Sequence, residues 1–396
     1  MYRWHEMAAH LISTPLRVTE RPEFENGTDP VRLIDLFAGC GGLSLGFAQA
    51  AFEARRGLEV RLAVDFEPLA TEVYSRNFPT SGSVATAPVE AFFDGELGDP
   101  LTLAEVRTRA AVGVVDVLVG GPPCQGHSNL NNHTRRIDGK NALYLRMARA
   151  AEVLKPRLLL IENVPSVVRD RHDSEGVVER TNKHLRFLGY RTADAVVSLA
   201  DLGVAQTRRR HILIATAEDE PDPGTILELA TGEREEHDLA WAIGDLVDVP
   251  EDGLFNRRPR PTPANLARMQ YLLDNDLYDL PNDLRPDCHK GDHSYRSMYG
   301  RLRWDGPAQT ITSGYGSIGQ GRYMHPSEPR ALTAHEAARI QGFPDYFDFS
   351  ACPTRSALAT MIGNAVPPQL GKAVMGAYLA LATKMETAES GTPRTA

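Results

Sequence analysis

The residues best placed to do chemistry lie in the segment DVLVGGPPCQG, residues 116–126. An apolar run, Val117–Val119, leads into Gly120-Gly121; two prolines follow, and Cys124 comes next. Pro122 and Pro123 fix their own φ and donate no backbone hydrogen bond, so the thiol is presented with little freedom at the carboxyl end of a strand. A thiolate in that position is suited to covalent addition to an electron-poor carbon. Two other segments could serve it. LIENVP (160–165) sets Glu162 at a strand end, where a carboxyl group can give or take a proton. QTRRRH (206–211) precedes a strand, and alternation sends Arg208 and Arg210 to one face, where a guanidinium steadies charge that develops during addition.

A third group of residues suits a ligand rather than a bond-forming step. The turn Asp35-Leu36-Phe37-Ala38-Gly39-Cys40-Gly41-Gly42 lets a ligand approach the backbone closely. It does not complete a dinucleotide G-x-G-x-x-G, because the last position is Ser44. Asp65 falls at the tip of the second strand, where an acid can accept hydrogen bonds from both ribose hydroxyls. Together these parts point to a nucleoside cofactor.

The elements that must position these residues are legible as alternating patterns. VRLIDLFA (31–38) reads as a strand, followed by the glycine turn and a helix through Leu43, Leu45, Phe47 and Ala48. Val60–Val64 reads as the next strand, with a helix from Pro68 to Asn77. Apolar β-branched runs recur at Val114–Val119, Leu158–Ile161, Ala195–Leu199 and Ile212–Ala215, with helical patterning over 141–154. Strands alternating with helices predict a doubly wound α/β fold, its sheet mostly parallel and covered on both faces. Ligands are then expected beyond the carboxyl ends of the strands. After about residue 217 the rhythm breaks into stretches rich in Pro, Gly, Asp and Arg, the mark of a smaller, irregular domain. Helical patterning returns at 332–341 and 364–382.

Composition narrows the function classes. No apolar stretch reaches the ~18 residues of a membrane span, and the first thirty residues lack the cationic start and apolar run of a secretory signal. A cytoplasmic location is expected. The four cysteines, Cys40, Cys124, Cys288 and Cys352, show no metal-ligand spacing, so no metal is expected. A net charge of −9 argues against gross nucleic-acid affinity, yet a binding cleft is local. HTRRIDGK (133–140) sets Arg135, Arg136 and Lys140 against Asp138 alone, and residues 254–303 hold nine Lys and Arg against six Asp.

These segments, taken in order, resemble the DNA cytosine-5 methyltransferases of bacterial restriction–modification and related systems. DLFAGCGGLSLGF looks like that family's first cofactor motif and GGPPCQG like its catalytic motif. ENV, QTRRRHILIA, ALTAHEAARIQGFP and IGNAVPPQLGKAV look like its later motifs, so that the likeness runs from about residue 31 to 382. The chemistry agrees: carbon 5 of cytosine is too weak a nucleophile until a thiolate adds to carbon 6 and turns the ring into an enamine.

The resemblance implies that Cys124 is the nucleophile, that Glu162 acts on ring nitrogen 3 with Asn163 fixing the adjacent backbone, and that Arg208 and Arg210 contact the base and support the nucleophile loop. It implies S-adenosyl-L-methionine as cofactor, with Phe37, Gly39, Gly41 and Gly42 lining its methionine end, Asp65 on its ribose, Phe66 stacked on its adenine, and Cys40 and Pro122 also in the cofactor site. Asn364 and Val366 look like the pair that helps close the pocket. The loop Gln125–Lys140 is expected to close over double-stranded DNA, Gln125 and Ser128 near the vacated base position and Arg135 and Arg136 on phosphates. One segment departs from the pattern. SGSVATAPVEAFF holds Pro88 where the family places an acid for the adenine amine, with Glu90 close by.

The expected organisation is an N-terminal extension (1–30), a catalytic and cofactor domain (31–217), a target-recognition domain (218–330), a return to the small and large domains carrying the last motifs (331–382) and a disordered tail (383–396). A monomer is expected, with a cognate restriction or phage-defence system as partner. A tRNA methyltransferase is the nearest rival, disfavoured by the full-size variable region and by GHSNLNN after the nucleophile. An inactive DNA-binding relative has no need of Cys124, Glu162 and Arg210 together, and a nicotinamide oxidoreductase lacks the full glycine fingerprint.

Overall fold

The computed structural model describes residues 14–79, 82–123, 142–172, 175–232, 236–290 and 297–390. Seven strands form its main sheet: β1 (Thr28–Leu36), β2 (Arg56–Asp65), β3 (Val84–Thr86), β4 (Val117–Gly120), β5 (Leu158–Asn163), β6 (Arg191–Ser198) and β7 (Arg209–Thr216). Their order is β3-β2-β1-β4-β5-β7-β6. The first five run parallel, while β7 lies antiparallel to both β5 and β6. β4 and β5 are buried along their whole length, which is why they read as uninterrupted apolar runs rather than alternation.

The helices between the strands are α1 (Gly42–Glu53), α2 (Pro68–Asn77), α3 (Leu103–Val112), α4 (Ala142–Leu154) and α5 (Val177–Phe187), and α6 (Pro223–Ala230) follows the last strand. Thr102 and Glu105 form a capping box at the start of α3. Leu36, Val64, Leu118, Met147, Ala151, Ile161 and Leu213 share one buried cluster, tying the strands to α4. The strand order reverses at β1, whose neighbours are β2 and β4, so the crevice expected of such folds opens at the ends of β1 and β4.

A second unit gathers Met1–Arg21, Gly203–Arg208 and Glu235–Ala365. It contains α7 (Leu239–Ile243), α8 (Pro263–Asp274), α9 (Ala334–Ile340) and α10 (Arg355–Asn364), with isolated bridges such as Arg301–Met324 in place of extended strands among its described residues. Met269, Leu272, Leu280, Tyr299, Ile318 and Met324 form its core. Buried polar groups do the rest. Gln206 donates to Ile340 O (3.1 Å) and Gln341 Oε1 (2.7 Å) and accepts from Ile311 N (3.1 Å).

At three places the structure refines or corrects the expected organisation. Residues 14–21 are not a loose extension: Leu16 is buried, and Asp345 N and Tyr346 N donate to the carbonyls of Leu16 and Val18. Residues 331–365 stay with the second unit, and the chain returns to the sheet unit only at Val366. There α11 (Pro368–Ser390) packs on α1, so the segment expected to be disordered from 383 is helical to Ser390. Lys, Met, Glu and Ala are good helix formers, and a helix already nucleated by packing extends through them at little cost.

Candidate active site

β4 and β5 pair in register, Gly120 opposite Ile161, so the chain leaving β4 passes directly beside Glu162. Glu162 is buried, and Arg210 Nε meets its Oε1 at 2.6 Å. The pairing follows from the antiparallel register of β5 and β7, which sets Glu162 opposite Ile212, two residues from Arg210. A Cβ placed on Gly121 would stand 3.1 Å from Glu162 Oε2 and 3.9 Å from Val366 Cγ2, so only glycine lets the backbone pass without displacing the carboxylate. Asn163 Nδ2 donates to Pro122 O at 3.0 Å, and Asn163 Oδ1 accepts from Val164 N at 2.8 Å. The end of β5 therefore holds the backbone just before Cys124. Cys124 itself, with Gln125, Ser128, Arg135 and Arg136, lies outside the described residues.

Arg208 and Arg210 do not share a face. The strand begins at Arg209, so alternation does not reach back to Arg208. Arg208 belongs to the second unit, is buried, and donates from Nη1 to Ile311 O (3.0 Å) and Gly363 O (3.5 Å). Of the last-motif pair, Asn364 is the final, exposed residue of α10 in the second unit, whereas Val366 lies beside Gly121 in the sheet unit.

The glycine turn after β1 has Phe37, Gly39 and Gly41 at φ of 59°, 54° and 93°. At Gly41 a Cβ would strike the rings of Tyr74 and Phe78, at 2.7–3.0 Å. Asp65 holds the turn from β2: its Oδ2 accepts from Gly39 N (2.8 Å) and its Oδ1 from Glu67 N (2.9 Å). Burial raises the Asp65 pKa above the usual carboxylate range, and those backbone hydrogen bonds pull it back. Gly42 opens α1 and Cys40 is only 2% exposed, whereas Phe66 is 65% exposed.

Sequence reasoning missed a second layer beneath the turn. Ser44 Oγ donates to the buried Asp35 Oδ2 (2.6 Å) and lies 2.7 Å from Tyr74 Oη. Burial is the main cause lifting the Asp35 pKa to about 7, with Asp65 adding to the rise and the Ser44 hydrogen bond opposing it. The signal was available as an acid ending an apolar strand, nine residues before a serine inside an apolar helix.

These residues fit a nucleoside cofactor. A Cβ on Gly39 would meet nothing within 4 Å, so space stands open beside the turn. Each Asp65 oxygen keeps acceptor capacity after its one backbone hydrogen bond, and Phe66 offers an exposed ring next to it.

Sheet order, glycine turn and the acid ending β2 define an α/β protein with a nucleoside-cofactor turn at the switch point of its sheet. The chain belongs to the C-5 cytosine-specific DNA methylases, whose family model matches residues 31–379. It is 43% identical over 361 residues to the type II methyltransferase M1.BsuMI of Bacillus subtilis (strain 168), covering 90% of this chain and 82% of that one. It is 30% identical to the type II methyltransferase M1.HphI of Haemophilus parahaemolyticus, covering 88% and 87%. Among solved structures, a putative DNA modification methyltransferase encoded within an E. coli prophage superposes with a TM-score of 0.61 at 23% identity, over 89% of this chain and 99% of that one. The S. pombe Dnmt2 methyltransferase gives 0.60 at 18%, over 88% and 98%. The two superpositions establish the shared fold. Membership of the family makes DNA cytosine the substrate and S-adenosylmethionine the methyl donor.

Proposed function

We propose that methylation runs through a covalent bond from Cys124 Sγ to carbon 6 of a cytosine swung out of duplex DNA. The observation that supports this most is the buried Glu162–Arg210 pair beside the backbone that leads into Cys124. S-adenosylmethionine, when bound, supplies an electrophilic methyl group. Cys124 adds as thiolate while Glu162 holds a proton at ring nitrogen 3, so the ring electrons collect at carbon 5. Carbon 5 takes the methyl group as the donor's methyl–sulfur bond breaks and leaves its electron pair on that sulfur; loss of the carbon-5 proton to water then returns electrons to the ring, the bond from Cys124 to carbon 6 breaks and the thiolate is restored. Arg210 keeps Glu162 oriented and offsets the cost of burying its charge. Phe37, Gly39, Gly41, Gly42, Asp65 and Phe66 form the cofactor side, with Pro122 and Val366 on the nucleophile side.

Gln125 and Ser128 fill the space left by the extruded base, and Arg135 and Arg136 meet phosphates. The second unit reads the target sequence. Its relatives' names as type II methyltransferases support a cognate restriction or phage-defence partner. Among the described residues no helix is long and apolar enough to cross a membrane. The enzyme works as a monomer in the cytoplasm on this reading.

Cys124→Ala is expected to lose all methyl transfer to DNA while binding cofactor as the parent does. DNA carrying 5-fluorocytosine at the target is expected to trap the parent covalently, because the fluorine cannot leave as a proton does. Turnover by the alanine variant, or an adduct mapped to another residue, overturns the reading.

A further inference from the structure

The second unit contains a cavity of about 250 Å³ lined by Arg257, the Ser313–Ser317 turn, Gln320 and Arg355, with Leu332 among its apolar wall residues. No aspartate or glutamate lines it. Several arginines of this unit, unlike these two, have carboxylate partners. Arg258 pairs with Glu328 (3.2 Å) and donates to Val247 O. Arg301 pairs with Asp276 (3.1 Å) and donates to Pro326 O. Arg303 pairs with Asp305 (3.1 Å) and lies 4.2 Å from the centre of the Tyr278 ring. By contrast, neither Arg257 nor Arg355 makes an ion pair or a side-chain hydrogen bond among the described residues.

Two guanidinium groups that face one recess without a carboxylate repel each other, and an anion between them removes that cost. The turn opposite is built for close approach. A Cβ on Gly316 would stand 3.9 Å from Arg355 Nη2, which sets the turn directly beside the guanidinium. Gln320 folds over Gly314, where a Cβ would collide with its Oε1, so its amide is committed to shaping the turn. Ser313 and Ser317 add hydroxyl donors of the kind that share phosphate contacts with arginine.

We propose that this cavity seats one phosphodiester of the DNA strand, with Arg257 and Arg355 as its two cationic walls. A guanidinium fork matches phosphate oxygens and gives charge-assisted hydrogen bonds. The assignment rests on the reading above that the second unit meets DNA. It concerns backbone positioning, and so affects every sequence alike.

The test is the salt dependence of binding to a short mixed-sequence duplex, measured for the parent, Arg257→Gln, Arg355→Gln and the double variant. Each neutralised phosphate contact lowers the slope of log affinity against log salt by about one. The cavity holds a single phosphate, so the double variant is expected to lose about one unit and each single variant part of that, with affinity falling equally on methylatable and non-target duplexes. The double lysine variant, which keeps both charges, is expected to retain the parent slope. An unchanged slope in the glutamine variants overturns the proposal. So does a loss confined to target duplexes, which would mark base reading instead. Thermal melting identifies any variant that fails to fold, and the single and lysine variants then decide. A parent that neither binds nor methylates DNA contradicts the proposed function rather than this cavity alone.

Discussion

Glu162 is asked to hold a proton at a ring nitrogen while staying in the place Arg210 gives it. Glu162→Gln keeps the shape and an oxygen for Arg210 but removes the exchangeable acid, so kcat is expected to fall by about 10²-fold or more. Tritium transfer from labelled cofactor measures this, and a loss under tenfold would remove Glu162 from the chemistry. Asp35 makes a different demand. Its value of about 7 in the folded chain stands above the ordinary 3.8, so the native state binds the extra proton between those limits. Its contribution to stability is full below about pH 4 and is lost as pH rises through 7. Asp35→Asn is expected to gain melting temperature relative to the parent as pH rises from 5 to 8. Parallel melting curves for the two proteins across that range would contradict the assignment.

Among the elements, the tightest fit is that of α11 against α1. A Cβ on Gly46 would lie 1.9 Å from Pro368 O, and one on Gly371 would lie 2.6 Å from Leu43 O. The two glycines let the helix backbones touch, and Lys372–Glu53 (2.7 Å) and Tyr378–Glu220 (2.7 Å) pin the flank and far end. Gly46→Ala is expected to cost about 1–3 kcal/mol, read as a lower denaturation midpoint with an unchanged slope. A midpoint at or above that of the parent would refute the close contact. The strands were legible because buried parallel strands are short apolar runs punctuated by Gly and Asp. The catalytic segment was legible because Pro-Pro-Cys and ENV sit at strand ends. The separation of Arg208 from Arg210 was not, since it depends on the residue at which β7 starts pairing with its neighbours, and pairing is a tertiary fact. The length of α11 was hidden for a similar reason: its polar end reads as a tail until packing supplies the nucleus.

For the molecule as a whole, the chain passes between its two units five times, at 21/22, 202/203, 208/209, 234/235 and 365/366. A sequence scan sees one break in rhythm near 217 and cannot see that 14–21 and 203–208 belong with residues far later in the chain, such as Asp345 for the first and Ile311 for the second. Leu16 shows the energetic stake of that first crossing. Leu16→Ala is expected to cost about 2–5 kcal/mol and to speed hydrogen exchange at Asp345 and Tyr346, whose amides bond the carbonyls beside it. Unchanged exchange at those two amides would show that the N-terminal segment contributes nothing to the second unit.

The side-chain amide of Gln206 gives the chain's path a consequence for how new specificities arise. Were residues 235–365 traded as one continuous block, residues 203–208 would remain with the recipient. A transplanted block then has to offer that amide the same carbonyl, side-chain and peptide partners it meets at Ile340, Gln341 and Ile311. Chimeras that carry the short piece along with the block should outlast those that leave it behind.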